Sequence, residues 1–356
     1  MDTHVRNGHG GDVDEMPVPL GAGAPATAPA ALEEVEPVRR TQRARPSAGD
    51  FSSERMLRGE SEPPRDALRR LLYRATGGWI NLGPSAAERR ERELVARVKT
   101  PIAGCRRVAV VSRKGGVGKT TTTLMLGHTF ASLRGDRVIA LDGNPDAGSL
   151  GYRVRRETTN TITSLLAQRE RIVRYGDIRA YTSQAPTRLE VVAADDDPRI
   201  ADALVERDYR AAVELLETHY NLVCLDTGTG VLESAARGIL RVADQIVVVA
   251  GPSLDSARTA ASTLDWLAAH GHEDLVDGAV AVLNAVRPRT TIELDRVQAH
   301  FEARCRAVVR IPWDPHLEAG AESSLERLRP ATRNAYLELA ASVADGFEPD
   351  ERSIRW

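Results

Sequence analysis

The chain has 356 residues, 42% of them hydrophobic and 28% charged, with a formal net charge of −2. That length and apolar content suffice for one sizeable α/β domain plus appendages. The near-neutral charge excludes a global field that would draw nucleic acid or an anionic membrane, and no apolar run approaches the ~18 residues a transmembrane helix requires.

Residues 1–64 are rich in Pro, Ala, Gly and charge, with few large apolar side chains, and are expected to be a disordered tail. Their first residues carry no apolar core of the kind a signal peptide needs. Residues 65–104 are expected to form a helical extension or docking segment. Leu68, Leu71 and Leu72 share one helical face, and Trp79 and Ile80 lie in a turn-rich connector. Ser85 and Glu88 have the spacing of a capping box, which opens a charged helix that ends before Pro101.

From there to residue 346, short apolar runs alternate with helical patterns. The strands are expected at 107–112, 137–142, 189–193, 221–226, 245–250, 279–284 and 307–311. Helices are expected over Thr120–Arg134, Tyr209–His219, Ser256–His270 and Thr291–Arg304. Several strands are apolar throughout, as burial on both faces requires. The alternation predicts an α/β fold with a doubly wound, mostly parallel sheet over residues 105–346. A last helix, near Pro330–Asp345, is expected on the outside, followed by a C-terminal tail at 347–356. Cys105, Cys224 and Cys305 have no CxxC spacing and are read as reduced thiols.

The chain contains three lysines, and two of them, Lys114 and Lys119, stand in the stretch SRKGGVGKTTTT. A strand precedes this stretch and a helix follows it, which is the setting of a phosphate loop. Gly115, Gly116 and Gly118 let backbone N–H groups around Val117 turn inward on phosphate oxygens. The helix beginning near Thr120 adds its positive end. Lys119 is placed to reach β and γ phosphates, Thr120 to offer a hydroxyl to Mg²⁺, and Thr121 to bond the α-phosphate.

Position 113, a glycine in GxxxxGK[ST], is Arg113 here, and Lys114 stands ahead of the double glycine. This resembles the deviant Walker A box of the MinD/ParA family of P-loop ATPases. The resemblance implies ATP and Mg²⁺ as cofactors and an ATP-dependent homodimer in which Lys114 reaches the partner's nucleotide. It implies that Asp142, at the head of switch I, and Asp226, as the Walker B aspartate, hold Mg²⁺ through water. Thr227–Gly230 then correspond to switch II. Asn284 stands where the family reads adenine, and Pro312, in RIPWDPHL, where backbone lines the adenine pocket. Well-studied relatives carry a DxD pair where this chain has Asp142, Gly143 and Asn144. Asn144 can orient a water but is a poor base; Asp146 is near enough to substitute. Slow hydrolysis is therefore expected.

Longer segments, among them RGDRVIALDGNPDAGSLGYR and RCRAVVRIPWDPHLEAGAE, resemble MinD-like ATPases encoded with actinobacterial type VII (ESX) secretion systems. This implies a dimerisation switch that regulates or positions a type VII secretion complex. The expected protein is cytoplasmic, recruited to a membrane complex, and at most peripherally membrane-associated. The alternative is a chromosome-partitioning or septum-positioning ATPase. The first needs a basic surface for DNA, and no strong basic cluster stands near the C-terminus, so nucleic acid is not expected as a partner. The second uses a C-terminal amphipathic helix, whereas GFEPDERSIRW is short and mixed in charge.

Overall fold

The computed structural model describes residues 84–347 apart from 145–147, 202, 229–233 and 288–291. The expectations for residues 1–64, for Leu68–Ile80, for Asp146, for Thr229 and Gly230, and for the tail after Phe347 lie outside the described residues.

The first described element is α1, Ala86–Val98. Its cap is reciprocal: the Glu88 amide donates to Ser85 Oγ at 3.1 Å, and the Ser85 amide donates to Glu88 Oε2 at 2.8 Å. Two helix-end amides that water would otherwise satisfy are thus paired.

The central domain follows in chain order as β1 (Arg106–Val111), α2 (Lys119–Leu133), β2 (Val138–Gly143), a 3₁₀ turn (Gly151–Arg153), α3 (Ile162–Ala167), α4 (Tyr175–Arg179), β3 (Ser183–Gln184) and β4 (Glu190–Val192). It continues as α5 (Pro198–Ala201), α6 (Glu206–Glu217), β5 (Leu222–Thr227), α7 (Ser234–Val242), β6 (Gln245–Ala250), α8 (Leu254–Ala269) and α9 (Glu273–Asp277). The last elements are β7 (Val280–Val286), α10 (Leu294–Glu302), β8 (Ala307–Pro312), α11 (Pro315–Glu318) and α12 (Pro330–Ala344).

Among the described residues the strands form one sheet in the order β3-β4-β2-β5-β1-β6-β7-β8, parallel except at the β3–β4 edge. Side chains alternate between two core layers, as the two-residue period of a strand dictates. Val108 and Val110 face the layer of α1, α2 and α12, while Ala109 and Val111 face the layer of α6, α7, α8 and α10. Both faces are covered, which is why β1, β2, β5 and β6 are apolar along most of their length.

Besides short helices the sequence reading did not place, such as α3, α4 and α7, two elements differ from it. The antiparallel strand β3 was not anticipated; its two residues carry no periodicity, and its turn is set by backbone geometry. Arg188 adopts φ 74° and its amide donates to Ala185 O at 2.8 Å. The last helix, α12, is not an outer element. Tyr336, Leu339, Ala340, Ala341 and Val343 are fully buried, because α1 packs over it.

The sheet order reverses at β1, which lies between β5 and β6. In open α/β sheets the crevice at such a point, beyond the carboxyl ends of the strands, is where ligands bind. The glycine-rich loop leaves β1 there.

Candidate nucleotide site

The loop between β1 and α2 is held in a shape that depends on glycine. Gly118 caps α2 with φ 93°, and a Cβ there would stand 2.2 Å from Asn284 Nδ2. That Nδ2 donates to Val117 O at 2.7 Å, which fastens the loop to β7. The side chain is aimed by an irregularity in β7. The register with β8 shifts between Leu283 and Val286, and Ala285 sits at φ 54°. A bulge of this kind re-aims a neighbouring side chain at some backbone cost. Asn284 Oδ1 is left as an acceptor for an amino group such as that of adenine.

Lys119 opens α2 and is only 9% exposed. Burial pushes its ammonium below the usual lysine range, and Asp226 opposes that shift. Among the described residues no carboxylate lies within ion-pair distance of it. A desolvated cation held this way favours an anionic ligand.

Asp142 and Asp226 are register partners at the ends of β2 and β5, and both are buried. Asp142 accepts from the Leu150 amide at 2.9 Å and from the Asn144 amide at 3.2 Å. Gly148 permits this approach, since a Cβ there would fall 2.2 Å from Asp142 Oδ2. Asp226 accepts, at 3.4 Å, from Thr123 Oγ1; its Oδ2 is buried with no hydrogen-bond partner among the described residues. Burial, reinforced by the neighbouring Asp226, pushes Asp142 up to about 8; burial raises Asp226 to about 6. Two buried carboxylates, one with an orphaned oxygen, together with the hydroxyl of Thr120 are oxygen donors of the kind that fit Mg²⁺. A divalent cation there would supply positive charge to the pair.

Gly115–Thr121, Asn144, Asn284 and Pro312 share the lining of one cleft of about 540 Å³; Asp142 and Asp226 are not among its lining residues. Asn144 is half-buried, with its amide committed to Asp142. Lys114 is not among the lining residues; its ammonium ion-pairs with the exposed Asp255 at the start of α8. Thr227, described with Gly228 from the segment Thr227–Gly230, donates to Val110 O at 2.8 Å. Arg153, Ser149 and Trp313 also line the cleft. Sequence reasoning missed all three. Trp313 stood inside RIPWDPHL, and Ser149 and Arg153 inside RGDRVIALDGNPDAGSLGYR, but no role was read for any of them.

Residues 108–326 match the CobQ/CobB/MinD/ParA nucleotide-binding domain. The chain belongs to that family. It is 41% identical over 272 residues to the ESX-1 secretion-associated protein EspI of Mycobacterium tuberculosis H37Rv, an alignment that takes in 76% of this chain. It spans about two-fifths of the length of that relative, 41%. It is 28% identical over 182 residues to the septum site-determining protein MinD of Synechocystis, covering 51% of this chain and 65% of that one. Among solved structures, the ParA family ATPase of Chlorobium tepidum superposes with a TM-score of 0.57 at 17% identity, over 67% of this chain and 98% of that one. MinD in the MinC:MinD complex of Aquifex aeolicus gives 0.54 at 20% identity, over 70% and 99%. The fold is therefore that of the MinD/ParA P-loop proteins. No described helix is long and apolar enough to cross a membrane.

Proposed function

We propose that the chain is a Mg-ATP-binding, ATP-hydrolysing dimerisation switch that regulates or positions a type VII secretion complex. The observation that carries this reading is the division of labour between its two loop lysines. Lys119 is buried in the cleft without a carboxylate partner, while Lys114 points to Asp255 outside the cleft lining. A lysine so placed has no role toward its own nucleotide. It is free to serve a partner's once the exposed pair opens, and exposed ion pairs contribute little stability, about 0–1 kcal/mol. Lys119, with the loop amides, holds the β and γ phosphates, and Thr120, Asp142 and Asp226 hold Mg²⁺, which neutralises phosphate charge. Asn144 orients the attacking water, so turnover is slow. The secretion role rests on the identity to the EspI protein. The MinD relatives match a smaller share of the chain, which gives septum positioning less support. Residues 105–346 carry the switch, and residues 65–104 dock it.

Light scattering with ATP tests this. Lys114→Ala should keep nucleotide affinity and lose ATP-dependent dimerisation, whereas Lys119→Ala should lose nucleotide affinity itself. Normal dimerisation of both variants would end the reading.

A further inference from the structure

Arg153 ends the 3₁₀ turn that follows switch I, and its guanidinium lines the nucleotide cleft opposite the first turn of α2. Its Nη1 donates to Thr121 Oγ1 at 2.9 Å. Its Nε is buried without a hydrogen-bond partner, and among the described residues no carboxylate lies within ion-pair distance of it. Burial lowers its basicity. A desolvated cation with neither counter-ion nor full hydrogen bonding is costly unless an anion completes it.

The local backbone fixes this placement. The Arg153 amide donates to Leu150 O at 3.1 Å, and the Ser323 amide donates to Arg153 O at 2.9 Å. Leu150, in turn, donates to Asp142. The segment 148–153 is thus a strap from the metal-site carboxylate at one end to Thr121 at the other.

We infer that Arg153 is a phosphate-binding residue acting within its own protomer, contacting the nucleotide's α-phosphate beside Thr121. The inference rests on the nucleotide-binding reading above. An arginine has donors only, so it uses Thr121 Oγ1 as an acceptor and leaves the threonine O–H free to point at a phosphate oxygen. Arg153 therefore does two things: it turns the Thr121 hydroxyl toward the nucleotide, and it adds a second fixed positive charge beside Lys119. The guanidinium fork suits a phosphate edge, where a charge-assisted hydrogen bond is shorter and stronger than a neutral one. The same contact couples the strap, and so Asp142, to the presence of nucleotide.

The test is calorimetric titration of the full chain with Mg-ADP and Mg-ATP, using Arg153→Met and Arg153→Lys. Methionine keeps the aliphatic stem and loses the charge; lysine keeps the charge. Arg153→Met should bind both nucleotides about 10- to 100-fold more weakly, as loss of a charged hydrogen bond implies, and by the same factor for each. Arg153→Lys should recover part of that loss, and both variants should melt within a few degrees of wild type without nucleotide. Wild-type affinity in Arg153→Met overturns the inference. Equal losses in the Met and Lys variants overturn it too, because the role is then one of shape rather than charge. A loss confined to ATP overturns the α-phosphate assignment. Should the wild type bind neither nucleotide, the nucleotide-binding reading falls and this inference with it; the other outcomes leave that reading standing.

Discussion

Glu190 and the pair Asp142–Asp226 are carboxylates buried in neighbouring strands of one sheet, with β4 beside β2 and β2 beside β5. Glu190 is surrounded by donors. Tyr175 and Thr182 donate to it, the latter at 2.8 Å, Tyr220 donates at 2.5 Å, and Arg179 stands 3.7 Å away. The aspartates are register partners instead, with two backbone amides, one threonine hydroxyl and one orphaned oxygen shared between them. The first arrangement is complete in itself and locks α4 and the Thr182 segment onto β4. The second leaves a buried carboxylate oxygen without a donor. Whether the protein itself supplies the partners for a buried charge separates a structural carboxylate from a binding one.

The sharpest way to break this contrast is to remove each charge. Glu190→Ala strands two tyrosine hydroxyls and that of Thr182, leaves Arg179 with Glu157 alone as a carboxylate partner among the described residues, and should destabilise the fold by about 3–5 kcal/mol, the usual cost of breaking a buried charge pair. Denaturant unfolding measures it, and a loss under 1 kcal/mol would show that water substitutes for the carboxylate. Asp142→Asn should do the opposite. It keeps an acceptor for Leu150 and removes a repelled charge, so the nucleotide-free protein should gain stability at pH 8, read as a higher melting temperature. The same variant should lose the stabilisation that Mg-ADP gives the wild type.

A pH series sharpens the point with a smaller effect. Asp142 is raised from 3.8 to about 8 in the folded state, so the native protein binds its proton more tightly than the unfolded chain. Its contribution is full below 3.8 and is lost as pH rises through about 8. His128 acts in the other sense. Burial lowers it from 6.5 to about 4, so its contribution is full above 6.5 and is lost as pH falls through about 4. The two oppose each other below pH 6.5, and the aspartate acts without that opposition between 6.5 and 8. The melting temperature of the nucleotide-free protein should therefore fall across that upper window, and Mg-ADP should flatten the fall. A rise would mean that the aspartates are already ionised and matched. The smallest effect belongs to the bulge. Ala285→Gly relieves a left-handed backbone and should stabilise by about 1 kcal/mol, read as a shift in the denaturation midpoint.

The phosphate loop was legible in the sequence because its chemistry is local. Gly118 and Lys119 must be consecutive for the backbone to turn and the ammonium to follow. The central strands were legible to within a residue or so, because burial on both faces leaves a continuous apolar run. The capping box at Ser85 and Glu88 is likewise a contact three residues apart. The segment from Gly148 to Thr182 was not legible. Its short helices and turns are positioned by long-range bonds, such as Leu150 to Asp142 and Thr161 Oγ1 to Asp195 Oδ1 at 2.7 Å. Arg153 escaped for the same reason, as its partner Thr121 is 32 residues away. Lys114 could be singled out by its motif, but its ion pair with Asp255 depends on how β6 brings α8 beside the loop. The depth of α12 also depends on a distant element, since α1 covers it.

The bond from Asn284 to Val117 O bears on time as well as shape. It joins two groups of the chain itself and draws on no ligand atom, so the loop is fastened to β7 by the protein's own bond. A site prepared in this way avoids much of the ordering entropy that a floppy loop would lose on capture. Encounter should then be limited by diffusion and access to the cleft, and differences in affinity should appear in the dissociation rate. The protein would work as a timer whose interval is the residence of its nucleotide, and a side chain on the far side of the sheet's switch point helps to set that interval.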